Sequence, residues 1–173
     1  VKYGALSGDA GTVAVDGHVL DRLSLRRAKN AGILYASEDR KRDGLVLDGS
    51  IESNLAYGDY RTVSRWGVLN PRALTRKARD VARRYGIRMN SPAQPVGELS
   101  GGNQQKVVVA RLSERAPRVA LFDDPTRGVD VGAKAAIYDE IFDLAERGTA
   151  VIVCSSDTDE VLFTATRPIL LNG

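Results

Sequence analysis

The sequence predicts an α/β domain: a mainly parallel sheet with crossover helices, an antiparallel hairpin at its start and a helical subdomain in its middle. Three observations carry that expectation. Short apolar runs at 119–122, 150–154 and 169–171, with a helical stretch at about 132–147, show the alternation that parallel strands and crossover helices produce. The segment TVAVDGHVL places alternating apolar residues on both sides of Asp16-Gly17, the two-residue signal of a tight hairpin. From about 50 to 115 the apolar period is that of helices. With 173 residues, 43% of them hydrophobic, the chain can bury one core, so a single globular unit or one domain with a small subdomain is expected.

The elements follow in order. After the hairpin, whose His18 is expected to be exposed, Ser24 caps a short helix that Gly32 stops, and Ile33, Leu34 and Tyr35 begin a buried strand. The charged stretch EDRKRDG at 38–44 is either a solvated connection or part of a site. Asn70 and Pro71 form a cap and first-turn pair, followed at helical spacing by Leu74, Ala78, Val81, Ala82 and Tyr85. Trp66, in the preceding loop, is expected to pack against a neighbouring helix. In open parallel sheets ligands sit at the carboxyl ends of the strands, which draws attention to Asp123, Asp124, Ser155, Ser156 and Asp157.

Composition narrows the function classes. The net charge of +3 arises from 25 basic and 22 acidic residues spread along the chain, which a solvated surface explains without a nucleic-acid partner. The pI of about 9.1 and the stretch RKARDVARR keep nucleic-acid binding as a minor alternative. Cys154, the one cysteine, lies in an apolar run, excludes a disulfide framework and is expected to be a buried structural thiol. No apolar stretch reaches the roughly 20 residues that span a bilayer, so a soluble or membrane-peripheral chain is expected. The start at Val1 and the end directly after an apolar run suggest a piece of a longer protein.

Two constellations carry chemistry. In LSGGNQQK (99–106) a polar residue and two glycines lead into a helix near Asn103, so Ser100 and the exposed amides of Gly101 and Gly102 suit a terminal phosphate; the same pattern also serves as a plain helix cap. In VALFDDPTRGVD (119–130) an apolar strand delivers two carboxylates 23 residues after Ser100 (123 minus 100). Asp123 is placed to hold magnesium through water and Asp124 to orient an attacking water, unless the pair is only an Asp-Pro turn.

The segments SEDRKRDGL, LSGGNQQK and DPTRGVDVGAK together resemble the C-terminal ATPase half of tandem ABC sugar importers of the ribose, galactose and xylose type, over essentially the whole chain. The resemblance implies an incomplete P-loop-type ABC ATPase domain, with ATP and magnesium as cofactors. It divides the chain into a partial core with the hairpin and Q-loop equivalent (1–49), a helical subdomain ending in the signature loop and helix (50–115), and a core with Walker B, D-loop and switch segments (116–173). Ser100, Gly101, Gly102 and Gln104 would bind nucleotide held on a companion half. Asp123 and Glu38 would serve the metal, Asp124 and Ser156 catalysis, and Asp130 the dimer interface. Partners would be a companion ATPase half, membrane permease subunits and, indirectly, a periplasmic sugar-binding protein, with the chain peripheral on the cytoplasmic side of the bacterial inner membrane. The helical segment and the loop at 38–44 would face the permease.

Departures from the family pattern matter as much. No G-x-x-x-x-G-K-[ST] phosphate loop and no Gly-Lys dipeptide occur in the sequence, and the segment at 1–18 resembles what lies just downstream of that loop. An apolar sheet edge is therefore expected to be exposed. Asp124 stands where a catalytic Glu is usual, Glu38 where a Gln is usual, and Ser156 where a His is usual, which leads us to expect an asymmetric device. This half would lend its signature loop to a competent site elsewhere, while its own site binds nucleotide structurally or hydrolyses it poorly. A non-catalytic regulatory module is the alternative.

Overall fold

The computed structural model describes residues 11–20 and 24–169. At its start β1 (Ala14–Val15) pairs antiparallel with β2 (His18–Val19). Asp16 and Gly17 both adopt positive φ, +50° and +78°, as a tight two-residue turn requires. Ser24 accepts a hydrogen bond from the Arg27 N–H and so caps α1 (Leu25–Asn30), which feeds β3 (Ile33–Ala36). The family-like segment at 1–18 lies largely outside the described residues.

The main sheet is parallel with the order β3-β6-β7, where β6 is Val119–Asp123 and β7 is Ala150–Cys154. β6 is central, and Ala120 and Phe122 on its inner face are fully buried. Between β6 and β7 runs the crossover helix α5 (Val131–Glu146), which buries Ala133, Ile137, Ile141 and Leu144, one side of a helix at spacings of four and three. On its far side β7 has no strand among the described residues, and Ile152 is half-exposed there. Cys154 is half-buried rather than fully buried; burial and then the nearby Asp123 charge push its thiol pKa up. The α/β class, the parallel sheet with a crossover helix, the opening hairpin and the helical subdomain match the sequence expectation.

The helical subdomain contains α2 (Ile51–Ala56), α3 (Pro71–Arg84) and α4 (Gly101–Ser113). Asn70 caps α3 with Pro71 in its first turn, and Leu74, Ala78, Val81 and Ala82 face the core. Asn54 of α2, 1% exposed, fastens the turn that leads into its own helix. Its Oδ1 accepts from the Val46 N–H at 2.9 Å, and its Nδ2 donates to the carbonyls of Val46, Gly49 and Ser50 at 2.9 to 3.3 Å. Asn54→Ala strands those buried groups and is expected to cost about 2–3 kcal/mol, lowering the melting temperature by roughly 5–10 °C in a calorimetric scan.

Three features depart from the sequence reading. The middle of the chain contains a second small hairpin, β4 (Ser64–Arg65) with β5 (Val68–Leu69). Trp66 does not pack on a helix: it is 91% exposed, because with Gly67 it forms the tip of that hairpin, at φ of +56° and +78°. A further helix, α6 (Thr158–Thr164), capped by Asp157, follows β7. Of the apolar run at 169–171, only Ile169 falls within the described residues, and it is exposed.

Candidate functional site

The carboxyl ends of β3, β6 and β7 open onto one edge of the sheet, and the two carboxylates stand there. Asp123 closes β6, opposite Cys154 in register. Its Oδ2 accepts a 2.7 Å hydrogen bond from the Tyr35 hydroxyl of β3. Burial, reinforced by that bond to Asp123, pushes the Tyr35 pKa up to about 12, so Tyr35 remains a proton donor at neutral pH. The sequence reading placed Tyr35 only as a strand residue; the parallel register that sets it beside Leu121 is what brings it to Asp123.

Asp124 turns the chain sharply, at φ +41°, a left-handed conformation that Asp tolerates better than most side chains. Its N–H donates to the Cys154 carbonyl at 2.8 Å. Its Oδ1 accepts from the Ser156 N–H at 2.9 Å and the Ser156 hydroxyl at 3.1 Å. The two residues expected to be catalytic thus meet, but as an internal pair in which one carboxylate oxygen of Asp124 is already engaged. Just beyond, Thr126 donates to Glu160 of α6 at 2.7 Å, both residues buried. This bond fixes the start of α6 against the loop after β6, a contact that no local pattern announces.

Glu38 does not join Asp123. Its carboxylate pairs with the Arg127 guanidinium at 2.5 Å, and Tyr35 is the residue that touches Asp123. Among the described residues no three His, Cys, Asp or Glu side chains gather to hold a metal ion. Magnesium keeps most of its water and needs only one or two protein carboxylates when it arrives with phosphates, so the second oxygen of Asp123 fits that ion, while the Glu38 carboxylate stands against Arg127.

The other half of the candidate site is the start of α4. Ser100 is exposed and caps the helix, accepting from the Asn103 N–H at 3.4 Å and the Asn103 side-chain amide at 3.0 Å. Among the described residues the N–H groups of Gly101 and Gly102 donate to no protein group, so two amides at the positive end of a 13-residue helix remain for an anion. The glycines also permit tight packing. A Cβ on Gly102 would lie 2.7 Å from the Ala133 Cβ and 2.8 Å from Asp130 Oδ2, and one on Gly101 would meet Arg40 Nη2 at 2.7 Å. Asp130 accepts from the Ala133 N–H at 3.0 Å, which caps α5 and holds Asp130 beside Gly102. Arg40 reaches the same corner and donates to the Arg127 carbonyl at 3.1 Å.

Gln104 is a correction. Its side chain is 4% exposed and its Nε2 donates inward to the carbonyls of Val96, Gly97 and Leu99 at 3.1 to 3.4 Å. One turn further along α4 than the amides, it points under the loop and shapes it, instead of facing a nucleotide.

Residues 2–127 match the ABC transporter family. The chain is 41% identical over 170 residues to an arabinose import ATP-binding protein, AraG, of Rhizobium etli, and 43% identical over 169 residues to a ribose import ATP-binding protein, RbsA 2, of Streptomyces coelicolor. Each match covers 98% of this chain, which spans about a third of the length of these relatives (34% and 33%). Among solved structures, a nucleotide-free ATP-binding cassette from an ABC transporter aligns with a TM-score of 0.73 at 20% identity, over 94% of this chain and 66% of its own. A dimeric cassette bound to ADP and Pi aligns with a TM-score of 0.69 at 20% identity, over 90% of this chain and 67% of its own.

Proposed function

The chain belongs to the ABC transporter family, and from that premise we propose that it is the signature-bearing part of the ATPase subunit of a bacterial sugar importer. The observation that carries this reading is the start of α4, where exposed Ser100 and the unengaged amides of half-buried Gly101 and buried Gly102 form an anion site beside Asp130. Within the complete protein, Ser100 and those amides bind the terminal phosphate of ATP whose phosphate loop lies on a companion half. Asp130, at the head of α5, lies at the contact between the halves. ATP supplies the free energy and magnesium neutralises its phosphates. Residues 50–115 meet the permease subunits, and the assembly is peripheral on the cytoplasmic side of the inner membrane.

This chain's own carboxyl-end site is the weaker partner. Asp123 holds magnesium. Asp124, a methylene shorter than Glu and engaged by Ser156, is poorly placed to orient water, and a misplacement of about 1 Å costs on the order of a hundredfold. Ser156 cannot take up a proton near neutral pH. Asp124→Asn in the complete protein is accordingly expected to change ATP turnover less than about threefold, since an amide oxygen keeps the bonds from Ser156. A drop on the order of a hundredfold in steady-state phosphate release would show this site to be an engine and would defeat the asymmetric reading.

The engagement of Asp124 also fits a second reading, a regulatory module without catalysis. Mixing the chain with an intact companion half and permease separates the two. Restored hydrolysis supports the importer reading, whereas stable binding with hydrolysis unchanged supports regulation.

A further inference from the structure

The charged stretch at 38–44 is organised around Arg40, which begins a single π-helical turn, Arg40–Gly44, a rare form of helix found often at functional sites. That turn is fastened to α4. Arg111 donates to the Gly44 carbonyl, and a Cβ on Gly44 would lie 3.3 Å from Arg40 Cβ and 3.4 Å from Val108 Cγ2. Val108 and Gly101 lie two turns apart on one side of α4, and Arg40 runs from beside the first to against the second. At its far end Nη1 donates to the Arg127 carbonyl at 3.1 Å, while Nη2 lies 2.7 Å from where a Cβ on Gly101 would stand. The Gly128 carbonyl is 3.3 Å from that same position. One side chain thus joins the start of α4 to the loop that leads to Asp130, and Glu38, two residues earlier, grips that loop again through Arg127.

Stability alone does not account for this arrangement. The start of α4 is the positive end of its dipole, where a cation is unfavourable, and Arg40 pairs with no carboxylate among the described residues. Among those residues its Nε–H is also buried without an acceptor, which destabilises the fold. An apolar side chain of similar length would fill the space without either penalty. It could not hold the Arg127 carbonyl.

Resting on the importer reading above, we propose that Arg40 is a positioning residue for the phosphate contact at the start of α4. Its planar guanidinium lies against Gly101 while donating to the Arg127 carbonyl, and so fixes the spacing between two parts of the site. One part is the pair of amides, Gly101 and Gly102, that meets the phosphate. The other is the loop that carries Asp130 to the contact between halves. A misplacement of about 1 Å between groups that must act together costs up to about a hundredfold in rate.

Arg40→Met, Arg40→Lys and Ser100→Asp are compared in the complete protein. Arg40→Met should lower kcat for ATP roughly 10- to 100-fold and leave KM within about threefold, because the companion half still holds the nucleotide. Its melting temperature should stay within about 3 °C of the parent or rise above it, since an unpaired cation and a buried N–H are removed. Arg40→Lys keeps the charge but not the flat fork, and should recover less than about threefold of the lost rate. Hydrogen exchange is followed without nucleotide, independently of the ATPase reading. The amides of Arg127 and Val129, which bond within the loop after β6, should exchange about tenfold faster in Arg40→Met as that loop loosens. A melting temperature that falls along with turnover would make Arg40 merely structural, full recovery with lysine would make its charge the whole requirement, and unchanged exchange would mean that it holds no loop; each overturns the proposal. Unchanged turnover in Arg40→Met beside a collapse in Ser100→Asp would overturn it and leave the importer reading standing. Normal turnover in both variants would overturn that reading and the proposal with it.

Discussion

Ser100→Arg in the complete protein is expected to lower ATP hydrolysis on the order of a hundredfold, the scale of losing one preorganised donor at a developing charge. Two effects coincide at this residue. The Ser100 hydroxyl caps α4 through Asn103, so its removal alone costs about 1 kcal/mol of helix stability. The guanidinium adds bulk in front of the Gly101 and Gly102 amides, where the phosphate must approach. Ser100→Asp separates the two, because Asp caps as well as Ser yet repels a phosphate. Steady-state phosphate release should therefore collapse in both variants while thermal unfolding of the Asp variant stays near wild type. Normal turnover with Asp at 100 would sink the proposed phosphate contact.

Phe122→Ala is expected to destabilise the chain by about 3–5 kcal/mol, read as a fall in the urea midpoint at unchanged slope. Phe122 is 1% exposed and lies on the central strand, where its ring fills the space between the sheet and the helices over it. Against a typical stability of about 5–15 kcal/mol the loss is large. It would also loosen Asp123, the next residue, so the magnesium binding proposed there should weaken with it. A loss below about 1 kcal/mol would mean that the core closes over the cavity.

What was legible in the sequence was local chemistry. Asp16-Gly17 announces its hairpin because only a few residue pairs accept two positive φ values, and Ser24, Asn70 and Ser100 announce helix starts because their side chains accept from amides three residues on. Trp66-Gly67 obeys the same turn chemistry, but Trp is not one of the residues that favour positive φ as Asp does, and its ring suggested burial, so it escaped notice. Contacts across the sheet were illegible for a different reason. Tyr35 with Asp123 depends on the register of two strands 88 residues apart, and Thr126 with Glu160 depends on how α6 docks. Motif position identified Glu38 and Gln104 without revealing their orientation: one is drawn to Arg127, the other folds under its own loop.

The order β3-β6-β7 has a consequence for how the chain comes into being. β6 and β7 pair across 31 residues (150 minus 119), but Ile33 of β3 finds Val119 only across 86 (119 minus 33). Closing the longer span costs about 0.9 kcal/mol more in chain entropy, which folding of the helical segment within it would offset. During synthesis at about 5–20 residues per second, β3 waits roughly 4–17 s for its neighbour to be made. Through that interval Ile33, Leu34 and Ala36, all buried in the finished fold, lack the β6 neighbour they pair with, so this part of the core stays open to water and to other nascent chains until β6 is made.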